Sequence, residues 1–214
     1  MSGERIALRI LDKNTKITNL DELGFSAENL SKVRKLLRHP NGLFIVTGPT
    51  GSGKSTTIYA SVNEIQTAEK NIITVENPIE YKLDFASQVT ASSDKSFTYV
   101  DALRAILRQN PNIIMLGEIR EAETGVVAAE AALTGNLVLS TILSDSAVGA
   151  IFRLISIGVP PYWLASTLIG IVYQQLVRKI CPSCKEEYTP TDPDEISITS
   201  AIQDGVSNQR AIKR

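Results

Sequence analysis

The chain has 214 residues, 43% of them hydrophobic, which is enough to bury a core in one main domain. Twenty-two basic residues against 23 acidic ones leave a formal charge of −1, so no basic footprint marks it as a nucleic-acid binder. Met1 to Lys13 interleaves Glu4, Arg5, Arg9 and Asp12 with apolar residues and so lacks a signal-peptide core, and the longest mostly apolar stretch, Tyr162 to Tyr173, is too short to cross a bilayer.

Taken in order, Arg5 to Leu11 reads as a strand, followed by a polar loop and a helix from about Ser26 to Leu37. His39-Pro40-Asn41-Gly42 then breaks the chain. Leu43 to Thr47 is a continuous apolar run of the kind that forms a buried strand, and Ile58, Val62 and Ile65 recur at helical spacing after Gly53. Further strands are expected at Ile72 to Val75, Ile113 to Leu116 and Leu137 to Thr141, with helices near Tyr99 to Arg108 and Ala122 to Leu133. Strands alternating with helices predict βαβ units and an α/β, doubly wound, mostly parallel sheet. Beyond about Arg178 the texture turns to Pro182, Pro190 and Pro193 among polar and acidic residues, which marks a boundary.

Gly48-Pro49-Thr50-Gly51-Ser52-Gly53-Lys54-Ser55 has the Walker A spacing, between a predicted strand and a predicted helix. Glycines let successive backbone N–H groups turn inward and form an anion nest at a helix N-terminus. In that setting Lys54 neutralises the β- and γ-phosphates, and the Ser55 hydroxyl is a ligand for Mg²⁺. Gly48, Pro49, Thr50, Gly51, Ser52, Gly53, Lys54, Ser55 and Thr56 are therefore the candidate nucleotide-binding residues. Pro111 to Arg120 is an apolar strand that delivers Glu118 at its carboxyl end, a Walker B arrangement. Ligands of open parallel sheets gather at that edge, so Glu118 is a candidate Mg²⁺ ligand, through water, or the group that orients the attacking water.

The Walker A block running into Thr56-Thr57-Ile58-Tyr59-Ala60, the segment Thr74 to Tyr81, Leu103 to Arg120, Ala131 to Thr141 and Gln174 to Lys185 together resemble the motor ATPases of type II secretion and type IV pilus assembly. The resemblance covers Gly3 to about Tyr188 and matches that family's motif order. It implies a RecA-like P-loop NTPase core that uses ATP and Mg²⁺. It further implies a homo-oligomer, usually a hexameric ring, working in the cytoplasm, peripherally at the inner membrane, on the platform protein of the secretion or pilus machine, with no direct nucleic-acid contact. The segment Thr74 to Tyr81 looks like the family's Asp box and makes Glu76 a candidate catalytic carboxylate. Arg9 is similar to a motif arginine of the family's preceding domain and so a candidate catalytic cation, although it also reads as a surface arginine on a strand.

On this footing residues 1–22 are expected to end a truncated preceding domain, 23–42 to form a linker helix and turn, 43–180 the ATPase core, and 181–214 a truncated Cys-x-x-Cys element and tail. Cys181 and Cys184 look like half of the family's four-cysteine zinc element, and two thiolates leave tetrahedral zinc half-ligated, so zinc is not expected. Other positions depart from the family's pattern. Leu143 stands where its His box has histidine, Asn136 replaces a second histidine, Asn77 an aspartate and Gln175 an arginine. Leucine can neither hydrogen-bond phosphate nor move a proton. A subunit that binds nucleotide but hydrolyses it poorly, and a truncated fragment, therefore stand as alternatives.

Overall fold

The structure, a computed structural model, describes residues 19–91 and 97–178, together with residues 3, 6, 181, 183, 184, 186, 187, 212 and 213. The strand expected at Arg5 to Leu11, with Arg9, and most of the tail after Thr189 lie outside the described residues. The chain divides into two compact units, Met1–Gln175 and Leu176–Arg214.

The first unit opens on a short 3-10 turn, Leu20–Leu23, and helix α1, Ala27–Leu37, whose Ser26 side chain accepts from the Asn29 N–H and so caps the first turn. Strand β1 (Gly42–Thr47) leads through the glycine loop into α2 (Lys54–Ile65), and β2 (Ile72–Glu76) and β3 (Ser87–Thr90) follow. Helix α3 (Tyr99–Ile106) runs on as a 3-10 turn, Leu107–Gln109, and begins with a reciprocal cap in which Thr98 and Asp101 satisfy each other's backbone N–H. Then come β4 (Ile113–Leu116), α4 (Ala122–Leu133), β5 (Leu137–Ile142), α5 (Ala147–Ser156), α6 (Pro161–Thr167) and β6 (Leu168–Tyr173).

The strands form a six-stranded sheet in the order β3-β2-β4-β5-β1-β6, with every pairing parallel. Successive side chains of a strand point to opposite faces, and both faces here are covered, so the central strands read as unbroken apolar runs. Leu43, Ile45, Ile73, Val75, Ile114 and Leu116 pack with α3, α4, α5 and α6 on one face. Phe44, Val46, Ile72, Ile113, Met115 and Leu139 pack with α1 and α2 on the other. Each such Leu, Ile or Phe contributes about 1.5–3 kcal/mol by leaving water.

The expected doubly wound α/β sheet is present. The long apolar stretch Tyr162 to Tyr173 is divided between α6 and the edge strand β6, with the change of element at Thr167 and Leu168. Strand β3 was not expected. Its sequence Ser87-Gln88-Val89-Thr90 is polar because the strand sits at the sheet's other edge, where none of its residues is fully buried. Among the described residues no helix is long and apolar enough to cross a membrane.

In the second unit, β7 (Glu186–Glu187) pairs antiparallel with β8 (Ile212–Lys213). Cys181 and Cys184 are exposed free thiols, and Cys181 is held below the ordinary thiol range, chiefly by a hydrogen bond from the backbone of Ser183.

Candidate functional site

All six strands point the same way, so the glycine loop, Glu76, Glu118, Leu143 and Gln174 follow strand ends along one edge of the sheet. In an open parallel sheet this carboxyl edge is where ligands bind. The sequence-predicted site residues in the described part are thus brought together, and Arg9 is outside it.

The loop from Gly48 to Gly53 joins the end of β1 to the start of α2. Gly48 adopts φ +150°, and a Cβ there would stand 2.1 Å from the Gln174 carbonyl oxygen, so the position excludes every other residue. Gly53 caps α2 from the left-handed region at φ +83°, where an L side chain is strained. The first N–H groups of α2 have no partner within the helix, which leaves donors and the positive end of the helix dipole facing the loop. Ser52 is 2% exposed, and its hydroxyl is a buried polar atom with no hydrogen-bond partner. Lys54 folds back to donate to the carbonyls of Gly48 at 2.9 Å and Pro49 at 2.8 Å. Burial lowers the affinity of its amine for a proton, and the negative charge of Glu118 partly offsets that effect.

Glu118 follows β4, and its neighbours fix it. The Gly117 N–H donates to the Val75 carbonyl at 2.9 Å, and the Thr141 hydroxyl donates to the Gly117 carbonyl at 2.8 Å. The Ile119 N–H donates to the Thr141 carbonyl at 2.9 Å, so β2 and β5 hold the segment from both sides. The Glu118 carboxylate accepts from the Arg120 guanidinium, which keeps that cation's proton more tightly bound than usual. Tyr99 brings its hydroxyl close to Gly117. Its pKa is pushed up to about 12 by burial and then by the charge of Glu118.

Glu76 ends β2 beside Gly117 and is only 3% exposed. Its carboxylate accepts from the Tyr59 hydroxyl, from the Thr74 hydroxyl at 2.6 Å and from the Gln88 amide at 3.2 Å. A buried carboxylate persists when its oxygens are satisfied in this way. The Tyr59 oxygen also accepts the N–H groups of Glu80 at 3.3 Å and Tyr81 at 3.2 Å, which ties the segment after β2 to α2. Burial and the Glu76 carboxylate raise the Tyr59 pKa, so its phenol stays protonated and keeps donating.

The departures from the expected pattern occupy varied settings. Leu143, 56% exposed, follows β5 with its side chain in solvent. Asn136 is buried and donates to the Ala131 carbonyl at 2.9 Å, closing the end of α4. Gln175 accepts from the Tyr173 hydroxyl at 3.4 Å. Tyr99 and Gln88 had not been singled out by sequence reasoning. Tyr99 enters the sequence reading only as the start of a helix, and Gln88, on the polar edge strand β3, carries no sequence signal.

Over residues 1–213 the sequence matches the family described as Type II/IV secretion system protein. The chain belongs to that family. Among its secretion-system relatives, the type II secretion system ATPase E of Vibrio cholerae is 48% identical over 186 residues, covering 87% of this chain and 37% of that protein. This secretion-family chain thus spans well under half the length of the curated relatives it matches. The crystal structure of the pilus retraction motor PilT with bound ADP superposes with a TM-score of 0.71 at 37% identity, covering 80% of this chain and 52% of that one. The Legionella pneumophila ATPase DotB gives 0.63 at 28% identity, covering 75% and 46%.

The arrangement fits a nucleotide with a hard cation. Three glycines at positive φ, unpaired helix N–H groups and one lysine suit phosphate, while a hydroxyl and a carboxylate are oxygen ligands of the kind Mg²⁺ takes. Among the described residues no group of three or more His, Cys, Asp or Glu could by itself hold a metal. Mg²⁺ at nucleotide sites needs none, because substrate phosphates and water complete its shell.

Proposed function

We propose that this chain binds ATP in the Gly48–Thr56 loop and hydrolyses it as the nucleotide-handling core of a type II secretion or type IV pilus assembly motor. The observation that carries the reading is Lys54, folded onto the carbonyls of Gly48 and Pro49 within a glycine nest, with Glu118 following a strand end at the same edge of the sheet. Phosphoryl transfer is mostly positioning and charge stabilisation, and these residues supply both.

In this reading the loop N–H groups and the Lys54 ammonium take the phosphates, with Lys54 exchanging the carbonyls of Gly48 and Pro49 for phosphate oxygens. Ser55 and Glu118 would hold Mg²⁺, whose chemistry is to offset charge on the β- and γ-phosphates. Glu118 also orients the attacking water once it parts from Arg120. Glu76 is a second carboxylate at the same edge. Its three donors favour a role in fixing the segment that carries Glu80 and Tyr81 over one in accepting a proton. Arg9 is proposed to approach the transferring phosphoryl group.

The machine-level reading extends the family resemblance of the sequence: a homo-oligomer, a ring of six, peripheral on the cytoplasmic side of the inner membrane and pushing on a platform protein. Leu143 favours a second reading, in which nucleotide is bound but turned over poorly. Steady-state ATPase assays beside equilibrium binding separate the two. Binding with turnover supports the motor, and tight binding without turnover supports the second reading.

A further inference from the structure

We infer that Gln174 is a positioning residue of the phosphate loop, whose carboxamide, bridging the Ser52 carbonyl and the Thr57 hydroxyl, sets the Gly53 N–H for phosphate. The inference rests on the nucleotide-site reading above. Gln174 lies just beyond β6, and one residue there meets the loop at its start, its tip and the helix that follows. Its own N–H donates to the Thr47 carbonyl at 2.9 Å, where β1 ends. Its carbonyl oxygen fills the space beside Gly48 that a side chain there would need. Its Nε2 donates to the Ser52 carbonyl at 2.7 Å, and its Oε1 accepts from the Thr57 hydroxyl at 2.8 Å.

The bridge needs one donor and one acceptor on a single planar group, which an amide has and a carboxylate or leucine lacks. The amide orientation is fixed by chemistry. Turned over, it would set two carbonyl-type oxygens 2.7 Å apart at Ser52.

The consequence reaches the phosphate donors through the peptide plane. In a trans peptide the carbonyl and the next N–H point to opposite sides, so binding the Ser52 carbonyl to Gln174 aims the Gly53 N–H away from Gln174. That peptide turns about the Ser52 ψ and Gly53 φ angles, and Gly53, at φ +83°, has the glycine freedom that would otherwise let the plane rotate cheaply. Thr57 braces the other side, since its N–H donates to the Gly53 carbonyl at 3.0 Å while its hydroxyl holds the Gln174 amide. A donor fixed before binding costs less to use than one ordered by the ligand.

The test is MgADP affinity and ATP KM and kcat for the full chain, with Gln174→Leu, Gln174→Glu, Thr57→Val and the Gln174→Leu/Thr57→Val double variant. Lys54→Ala is the control. Gln174→Leu is expected to weaken MgADP by about tenfold and to raise KM more than it lowers kcat. Gln174→Glu is expected to lose more, because a carboxylate cannot donate to Ser52 and adds negative charge beside the loop. The double variant is expected to lose no more than Gln174→Leu, since both changes break one bridge. Wild-type affinity in Gln174→Leu, or single losses that add in full, would overturn the inference while leaving the nucleotide site in place. So would an unfolding midpoint that falls without nucleotide while the folded protein keeps its affinity. A wild-type chain that binds no more MgADP than Lys54→Ala overturns the nucleotide-site reading itself.

Discussion

The Thr141 hydroxyl donates to the Gly117 carbonyl at 2.8 Å, so the last turn of chain before Glu118 is fixed by the neighbouring strand rather than left to the loop. Together with the Ile119 N–H bonded back to Thr141, it holds the backbone on both sides of the carboxylate. In the proposed reading, Glu118 exchanges Arg120 for a cation or water on a backbone already held in place. Preorganised charge of this kind is usually the largest single contribution to such catalysis.

Glu118→Gln is therefore expected to bind MgATP with near wild-type affinity and to lose turnover by about 10²- to 10³-fold, the usual cost of removing one such group. Calorimetric binding together with single-turnover hydrolysis checks it. Undiminished turnover would remove Glu118 from the catalytic role.

Tyr59→Phe tests the buried network around Glu76. The change strips one donor from a carboxylate that is 3% exposed and the acceptor from two backbone N–H groups. Leaving such groups unsatisfied costs about 1–3 kcal/mol each, so the unfolding midpoint in denaturant should fall clearly. An unchanged midpoint would mean that water replaces the phenol.

Nucleotide affinity should depend on alkaline pH through Lys54. Burial holds its ammonium pKa below the ordinary 10.5, with Glu118 partly opposing. The protonated form is the one that binds phosphate, and affinity falls above the pKa of the free protein, so binding should weaken from below pH 10.5 upward. Lys54→Arg stays charged and should show no such fall over that range. Equal pH dependence in both proteins would assign the effect elsewhere.

Leu143→His examines the departure at the end of β5. The side chain is 56% exposed, so the substitution should change stability by no more than about 0.5 kcal/mol. A rise in turnover that follows the protonation of the new imidazole is expected, read from kcat against pH in the variant and in wild type. No change in kcat would place the position outside the reaction.

Much of this was legible in the sequence because the central strands are covered on both faces and therefore read as unbroken apolar runs, as at Leu43 to Thr47 and Ile113 to Leu116. The glycine loop was legible because its spacing is dictated by backbone geometry, at Gly48 and Gly53 above all. Strand β3 was not, since an edge strand need not be apolar on either face. The bridge through Gln174 was also hidden. It joins residues 117 and 122 positions apart, a pairing that only the assembled sheet creates. The satisfaction of Glu76 by Tyr59, Thr74 and Gln88 likewise depends on three elements meeting, so a carboxylate legible only as a candidate catalyst is seen to be buried and fully engaged.

The most direct test of the account is Mg-ATP turnover by the purified chain over a wide range of protein concentration, with Lys54→Ala alongside. Hydrolysis is expected to rise more steeply than protein concentration, as assembly completes the site, and to disappear in Lys54→Ala. That variant should bind nucleotide about a hundredfold more weakly, through loss of its charge-assisted bonds to phosphate. Turnover that survives in Lys54→Ala, or none at any concentration in wild type, would contradict it.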